Sequence, residues 1–172
     1  MNFFTVIKKR RSIRDYKDRP LKEKTLQRIL EAINQAPSAG NLQAYEVYLV
    51  TDEDRKAKLV KASGDQKFIA RVPVVLIFCS HPARAAERYK ERGIHLYAVQ
   101  DASIACTFAM LAACALGLGT VWIGAFNEDQ VWRIIGSPDG QIPVAMLPIG
   151  YPEKKTYVRK RRPIEELVHR IE

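Results

Sequence analysis

The chain has 172 residues, with 28 Lys and Arg against 19 Asp and Glu, for a formal net charge of +9. Hydrophobic residues make up 47% and charged residues 27%, which suits a single folded unit over residues 1–172 and excludes wholesale disorder. Three cysteines with no CxxC spacing, and three histidines with none at ligand spacing, exclude a disulfide scaffold and a zinc site.

The placement of the charge is more telling than its sum. Residues 8–14 (KKRRSIR) and 153–162 (EKKTYVRKRR) together hold 11 cations and 1 anion, while the other 155 residues are nearly neutral. The first residues contain no apolar stretch followed by a small-residue cleavage site, so with reduced cysteines the expected compartment is the cytoplasm.

Residues 3–10 form a short helix candidate with an apolar face of Phe3, Phe4 and Ile7. Arg19-Pro20 breaks the chain. Residues 21–35 repeat apolar side chains at Leu26, Ile29, Leu30 and Ile33, an amphipathic helix, which Pro37-Ser38-Ala39-Gly40-Asn41 ends in a loop. A strand over 45–51 and a polar helix over 52–62 follow. Residues 72–80 read as a buried strand with Pro73 near its start.

Residues 83–92 are a charged helix. Residues 97–116 are the longest helix, apolar nearly all round after Asp101, and thus a core helix or an oligomer interface rather than a bilayer span. Gly117 and Gly119 are expected to cap it. A strand over 120–123, a helix over 128–135 with an Asn127 cap, a buried strand over 142–151 and a short helix over 164–171 complete the chain. Without a regular βαβ rhythm, the fold class is α+β, a sheet flanked by helices.

Several chemistries are absent. Gly117-x-Gly119 follows a helix and lacks the third glycine of a dinucleotide fingerprint, there is no phosphate-loop lysine motif, and no serine lies in a G-x-S-x-G frame. Cys79, Cys106 and Cys114 fall in apolar segments and read as packing. Asp101 is placed to cap or pair. Arg10, Arg11 and Arg14 with Ser12 suit a phosphate group, since guanidinium forks match phosphate oxygens. The carboxamides of Asn41 and Gln43 suit the edge of a heterocycle that both donates and accepts. Gly124, after a strand, offers close backbone approach to a flat ligand. The alternative for so basic a chain is nucleic-acid binding, for which no recognised motif is present.

The order of four stretches resembles the nitroreductase-like FMN flavoprotein family. These are Arg10-Arg11-Ser12-Ile13-Arg14, Pro37-Ser38 through Asn41-Leu42-Gln43, Gly119-Thr120-Val121-Trp122-Ile123-Gly124, and Arg159-Lys160-Arg161-Arg162-Pro163-Ile164-Glu165-Glu166. The resemblance implies a mostly antiparallel central sheet flanked by helices. It also implies a homodimer with FMN at the subunit interface and a C-terminal arm, residues 153–172, exchanged between subunits. By the same resemblance Arg10, Ser12, Arg159 and Arg161 hold the FMN phosphate, with Arg11 beside them. Arg14 reaches the ribityl and pyrimidine side, and Asn41 and Gln43 the pyrimidine edge. Pro37 and Ser38 come from the other subunit, and the backbone at Ile123 and Gly124 approaches flavin N5.

The implied activity is hydride transfer from NAD(P)H through the flavin to a small flat acceptor, a nitroaromatic or quinone, without a catalytic side chain, metal, membrane or nucleic acid. Tyr89, His95 and Tyr97 are the candidates to line the acceptor pocket. The alternative within the same fold is reductive dehalogenation, flavin fragmentation or flavin binding alone. The chain departs from the family at Gln43-Ala44-Tyr45, where many members have Gln-Pro-Trp, and over residues 80–96, which match no family pattern.

Overall fold

A computed structural model describes residues 1–154 and 159–171; residues 155–158 of the expected arm, and residue 172, lie outside the described residues. Among the described residues six α-helices are α1 (Phe3–Lys9), α2 (Glu23–Asn34), α3 (Glu53–Ala62), α4 (Pro82–Arg92), α5 (Ala98–Ala115) and α6 (Glu128–Ile134). The described residues form four strands, β1 (Tyr45–Val50), β2 (Val74–Ser80), β3 (Gly119–Thr120) and β4 (Ile142–Gly150). They form one antiparallel sheet in the order β1-β2-β4-β3.

β2 explains the apolar run in the sequence. Its side chains alternate between faces, and helices cover both. Val74, Leu76 and Phe78 join a core with Leu26, Ile29 and Ile33 of α2 and the alanine face of α5. Val75, Ile77 and Cys79 join a second core with Leu59 and Val60 of α3 and Val131 of α6. All seven β2 residues are buried. The helix N-termini are capped as their sequences direct, by Asn2 for α1, Asp52 for α3 and Asn127 for α6, each accepting an amide three residues on.

The helical run Pro82–Ala115, which is kinked at Lys90, is long and apolar enough, by composition, to cross a membrane. Its α5 portion packs Ala102, Ala105, Ala109 and Ala113 into the first core, and these small side chains let the helix lie close to the sheet.

Three expectations are corrected. The strand expected over 120–123 is the two-residue β3 plus an isolated bridge from Ile123 to Met146. Thr120 pairs with Ile149 and Ile123 with Met146, so Val121 falls opposite Pro148, which has no N–H to give to a ladder. The helix expected over 164–171 is one 3-10 turn, Ile164–Glu166. Ile164, Leu167 and Val168 are exposed, and so short a segment gains no helix without packing. Residues Gly93–Tyr97, expected to begin the long helix only at its last residue, form a π-helical turn joining α4 to α5.

The glycines after α5 divide. Gly117 has φ +79°, and the bonds from Gly117 N to Cys114 O and from Leu118 N to Ala113 O make a Schellman ending. Gly119 serves packing instead: a Cβ there would lie 2.7–2.9 Å from Ile13.

Candidate functional site

The segment after α1 lies along the sheet edge. Ser12 bridges Thr120 in parallel, and Ile13 N donates to Thr120 O at 2.9 Å. Tyr16, fully buried, donates its hydroxyl to Ile13 O at 2.7 Å. Burial drives the Tyr16 hydroxyl's pKa well upward, so it stays a donor. Further along, Lys17 N donates to Tyr151 O and Glu153 N to Asp15 O, while Asp15 pairs with Arg71 and Lys154. The start of the C-terminal arm is thus tied to the basic N-terminal segment.

The charges of the two basic ends act on each other. Burial, then the nearby charge of Arg161, then that of Arg11, hold the Arg10 guanidinium below its usual pKa. Among the described residues, no salt bridge joins Arg10 or Arg161 to a carboxylate. Like charges that act on each other disfavour their own charged forms and an anion offsets this, so the donor set fits a phosphate.

The other arginines are used differently. Arg11 folds back, giving Nη1 to the carbonyls of Lys8 and Arg10 at 2.6 and 2.7 Å, where it caps α1. Arg162 gives Nη2 to Glu166 O at 2.7 Å and so caps the C-terminal 3-10 turn. Ser12, Arg14 and Arg159 are exposed, with no side-chain hydrogen bond among the described residues. Cys114, at the end of α5, touches Val6 O with its sulfur at 3.6 Å. Burial raises its pKa, and Arg10, Arg11 and Lys9 oppose the rise.

The second group is the 37–43 loop. Gly40, Asn41 and Gln43 all have positive φ, between 50° and 59°. Glycine and asparagine adopt this region readily, but glutamine does so only when its surroundings enforce it. Ser38 Oγ accepts Gln43 N at 2.9 Å across the loop. The Asp101 carboxylate accepts Ala39 N at 2.9 Å and Ala44 N at 3.3 Å, clamping both ends. Asp101 is 2% exposed. Pro37 and Asn41 are exposed, and Ser38 and Gln43 half-buried. The role of Asp101 as the loop's clamp is a contact across the fold, whose one sequence signal is a lone acid heading an apolar helix.

Ile123 and Gly124 differ from each other. Ile123 exchanges two hydrogen bonds with Met146, both at 3.0 Å, which occupy its N–H and C=O. Gly124 is exposed, and a Cβ there would lie 3.3 Å from the Trp122 indole nitrogen. Of the pair, Gly124 has the backbone open to a ligand.

Of the three pocket candidates, Tyr89 and Tyr97 meet edge to face with ring centres 5.0 Å apart. A Cβ on Gly40 would lie 2.6 Å from the Tyr89 hydroxyl, which sets this pair against the loop. His95 is exposed and bonded to Glu91 at 3.1 Å on its own helical run.

This architecture and these motifs agree with known proteins. A sequence model of the Nitroreductase family matches residues 7–66 and 60–151. The chain is similar to an FMN reductase [NAD(P)H] of Bacillus subtilis, 36% identical over 172 residues, covering 92% of this chain and 69% of that protein. It is similar to an NADH dehydrogenase of Thermus thermophilus, 30% identical over 191 residues, covering 95% of this chain and 93% of that protein. The structure of NfrA2 from B. megaterium superposes with a TM-score of 0.91 at 32% identity, covering 99% of this chain and 74% of that one. The chain belongs to the nitroreductase family and has its α+β fold.

Proposed function

We propose that the protein is an FMN-dependent oxidoreductase that takes hydride from NAD(P)H and passes it to a small flat acceptor such as a nitroaromatic or a quinone. The relatives' names, FMN reductase [NAD(P)H] and NADH dehydrogenase, support this reading. So does the one observation that carries it: the segment following the N-terminal basic motif is tied to the start of the C-terminal arm, through Lys17 N to Tyr151 O, Glu153 N to Asp15 O and the Lys154–Asp15 pair, and the charge of Arg161 bears on Arg10, with no carboxylate pairing Arg10 or Arg161 among the described residues.

The residues present fit FMN. Arg10 and Arg161 hold its phosphate, with the Ser12 hydroxyl adding a donor and Arg159 a further charge. Arg14 supplies positive charge on the ribityl and pyrimidine side. The clamped loop offers the Asn41 and Gln43 carboxamides to the pyrimidine edge, and Gly124 gives backbone contact near ring atom N5. When bound, the flavin supplies two-electron chemistry at N5, alternately taking and giving hydride. No side chain need act as acid or base in accepting hydride.

The site is completed by a second copy of the chain. α1 exposes Phe3, Phe4 and Ile7, and the C-terminal segment exposes Ile164, Leu167, Val168 and Ile171. Apolar rows of this kind on both chain ends suit a homodimer whose arms cross, with Pro37 and Ser38 facing the partner's flavin. The whole chain then acts as one FMN-binding unit, the segment from 153 onward serving as the arm.

The test is direct. Purified protein should be yellow and dimeric, and NADH or NADPH should bleach it anaerobically, with colour returning on addition of a quinone. Colourless protein that takes up no added FMN overturns the reading.

A further inference from the structure

A cluster of cations and aromatic rings stands beside the 37–43 loop and has no part in the flavin contacts assigned above. Arg84 and Arg88 are one turn apart on α4, and Arg92 follows a break at Lys90, whose φ is +49°. Arg84 is already engaged: its Nη1 donates to Gln43 O at 3.3 Å and lies 3.8 Å from Glu46. Arg88 lies against the loop, its Nη1 2.9 Å from where a Cβ on Gly40 would stand. Arg92 gives Nε to the Tyr97 hydroxyl at 2.8 Å.

Each of the two outer guanidiniums is seated by a ring of the tyrosine pair, Arg88 at 5.5 Å from the Tyr89 centre and Arg92 at 5.4 Å from that of Tyr97. Both are exposed, and among the described residues neither pairs with a carboxylate. Acids are close in sequence, since Glu87 and Glu91 share α4, yet Glu91 pairs with His95. Two guanidiniums held in place on aromatic faces, with free forks beside a ligand-facing loop, are built for an anion attached to a flat ring system.

We infer that Arg88 and Arg92 bind a phosphate of the nicotinamide dinucleotide donor, with Arg84 holding the loop beside them. This rests on the oxidoreductase reading above, because that reaction brings such a dinucleotide to the flavin. Two phosphates of the donor share this chemistry. The bridging pyrophosphate is common to NADH and NADPH, and the ribose 2′-phosphate belongs to NADPH alone.

The experiment titrates NADP⁺ and NAD⁺, by calorimetry, into the flavin-loaded protein and into Arg88→Gln, Arg92→Gln and the double variant. Each single change is expected to raise the NADP⁺ dissociation constant about tenfold or more, as the loss of a charge-assisted contact does. Arg88→Lys, which keeps the charge and loses the fork, should fall between wild type and Arg88→Gln. Weakening of NADP⁺ alone assigns the 2′-phosphate, and weakening of both assigns the pyrophosphate; either supports the inference. Unchanged affinity for both dinucleotides in a folded, yellow double variant overturns it. A wild-type protein that binds no flavin defeats the oxidoreductase reading instead.

Discussion

The carboxylate of Asp101, buried on α5, accepts the amide of Ala39 at 2.9 Å across 62 residues of sequence. Its second oxygen accepts Ala44 N at 3.3 Å. Asp101→Ala orphans both amides, each costing about 1–3 kcal/mol where buried. Together that is about 2–6 kcal/mol, so the melting temperature, followed by circular dichroism, should fall by roughly 4–24 °C. Asp101→Asn keeps one acceptor and should lose less. FMN affinity, measured by quenching of flavin fluorescence, should fall in both variants because the ring-facing loop slackens.

Arg10 and Arg161 are expected to act on one phosphate. Arg10→Ala and Arg161→Ala should each weaken FMN binding by about 1.5–3 kcal/mol, with the fold intact. The double variant should lose less than the sum, since removing either cation also removes its repulsion of the other. Fluorescence titration of the four proteins closes the cycle. Fully additive losses would mean that the two guanidiniums hold separate groups.

Gly119→Ala should destabilise the sheet edge by about 1–3 kcal/mol, because its Cβ would enter the space of Ile13. Ile13→Ala on that background removes the γ-carbons but leaves a Cβ 2.9 Å from the new methyl, so recovery should be partial. Urea unfolding of the three variants measures both effects.

Burial pushes the Cys79 thiol up to about 12 from its usual value near 9, and raises the Cys106 thiol as well. The folded state therefore keeps protons that the unfolded chain releases. The stability this represents is fully present below pH 9 and is lost as pH climbs toward about 12, by at most about 1.4 kcal/mol per pH unit for each thiol. Unfolding free energies at stepped alkaline pH test the slope. In the native protein at neutral pH, a thiol reagent should reach Cys114 before the other two, since Cys79 and Cys106 are fully buried.

What was legible in the sequence was local or periodic. The spacing of Leu26, Ile29 and Ile33 gave α2, and the apolar run of β2 gave a strand covered on both faces. The conformation of residues 120–123 was not legible, because it depends on Pro148 arriving opposite Val121 from a distant strand. The two basic motifs suggested a common phosphate with Arg159 and Arg161 as its C-terminal ligands, while the way each side chain of 159–162 is turned was not legible. Arg161 is the one whose charge bears on Arg10, while Arg162 caps its own turn. Likewise Arg11 read as a phosphate ligand, and only the folded chain reveals its guanidinium turned back on α1.

The left-handed residues of the 37–43 loop are held by bonds from within the chain itself, those made by Ser38 and Asp101. Their ordering is therefore completed during folding, and a visiting ring system meets a finished surface. Association on that side should carry little entropic penalty for freezing backbone, and its rate should be set by diffusion and charge more than by rearrangement.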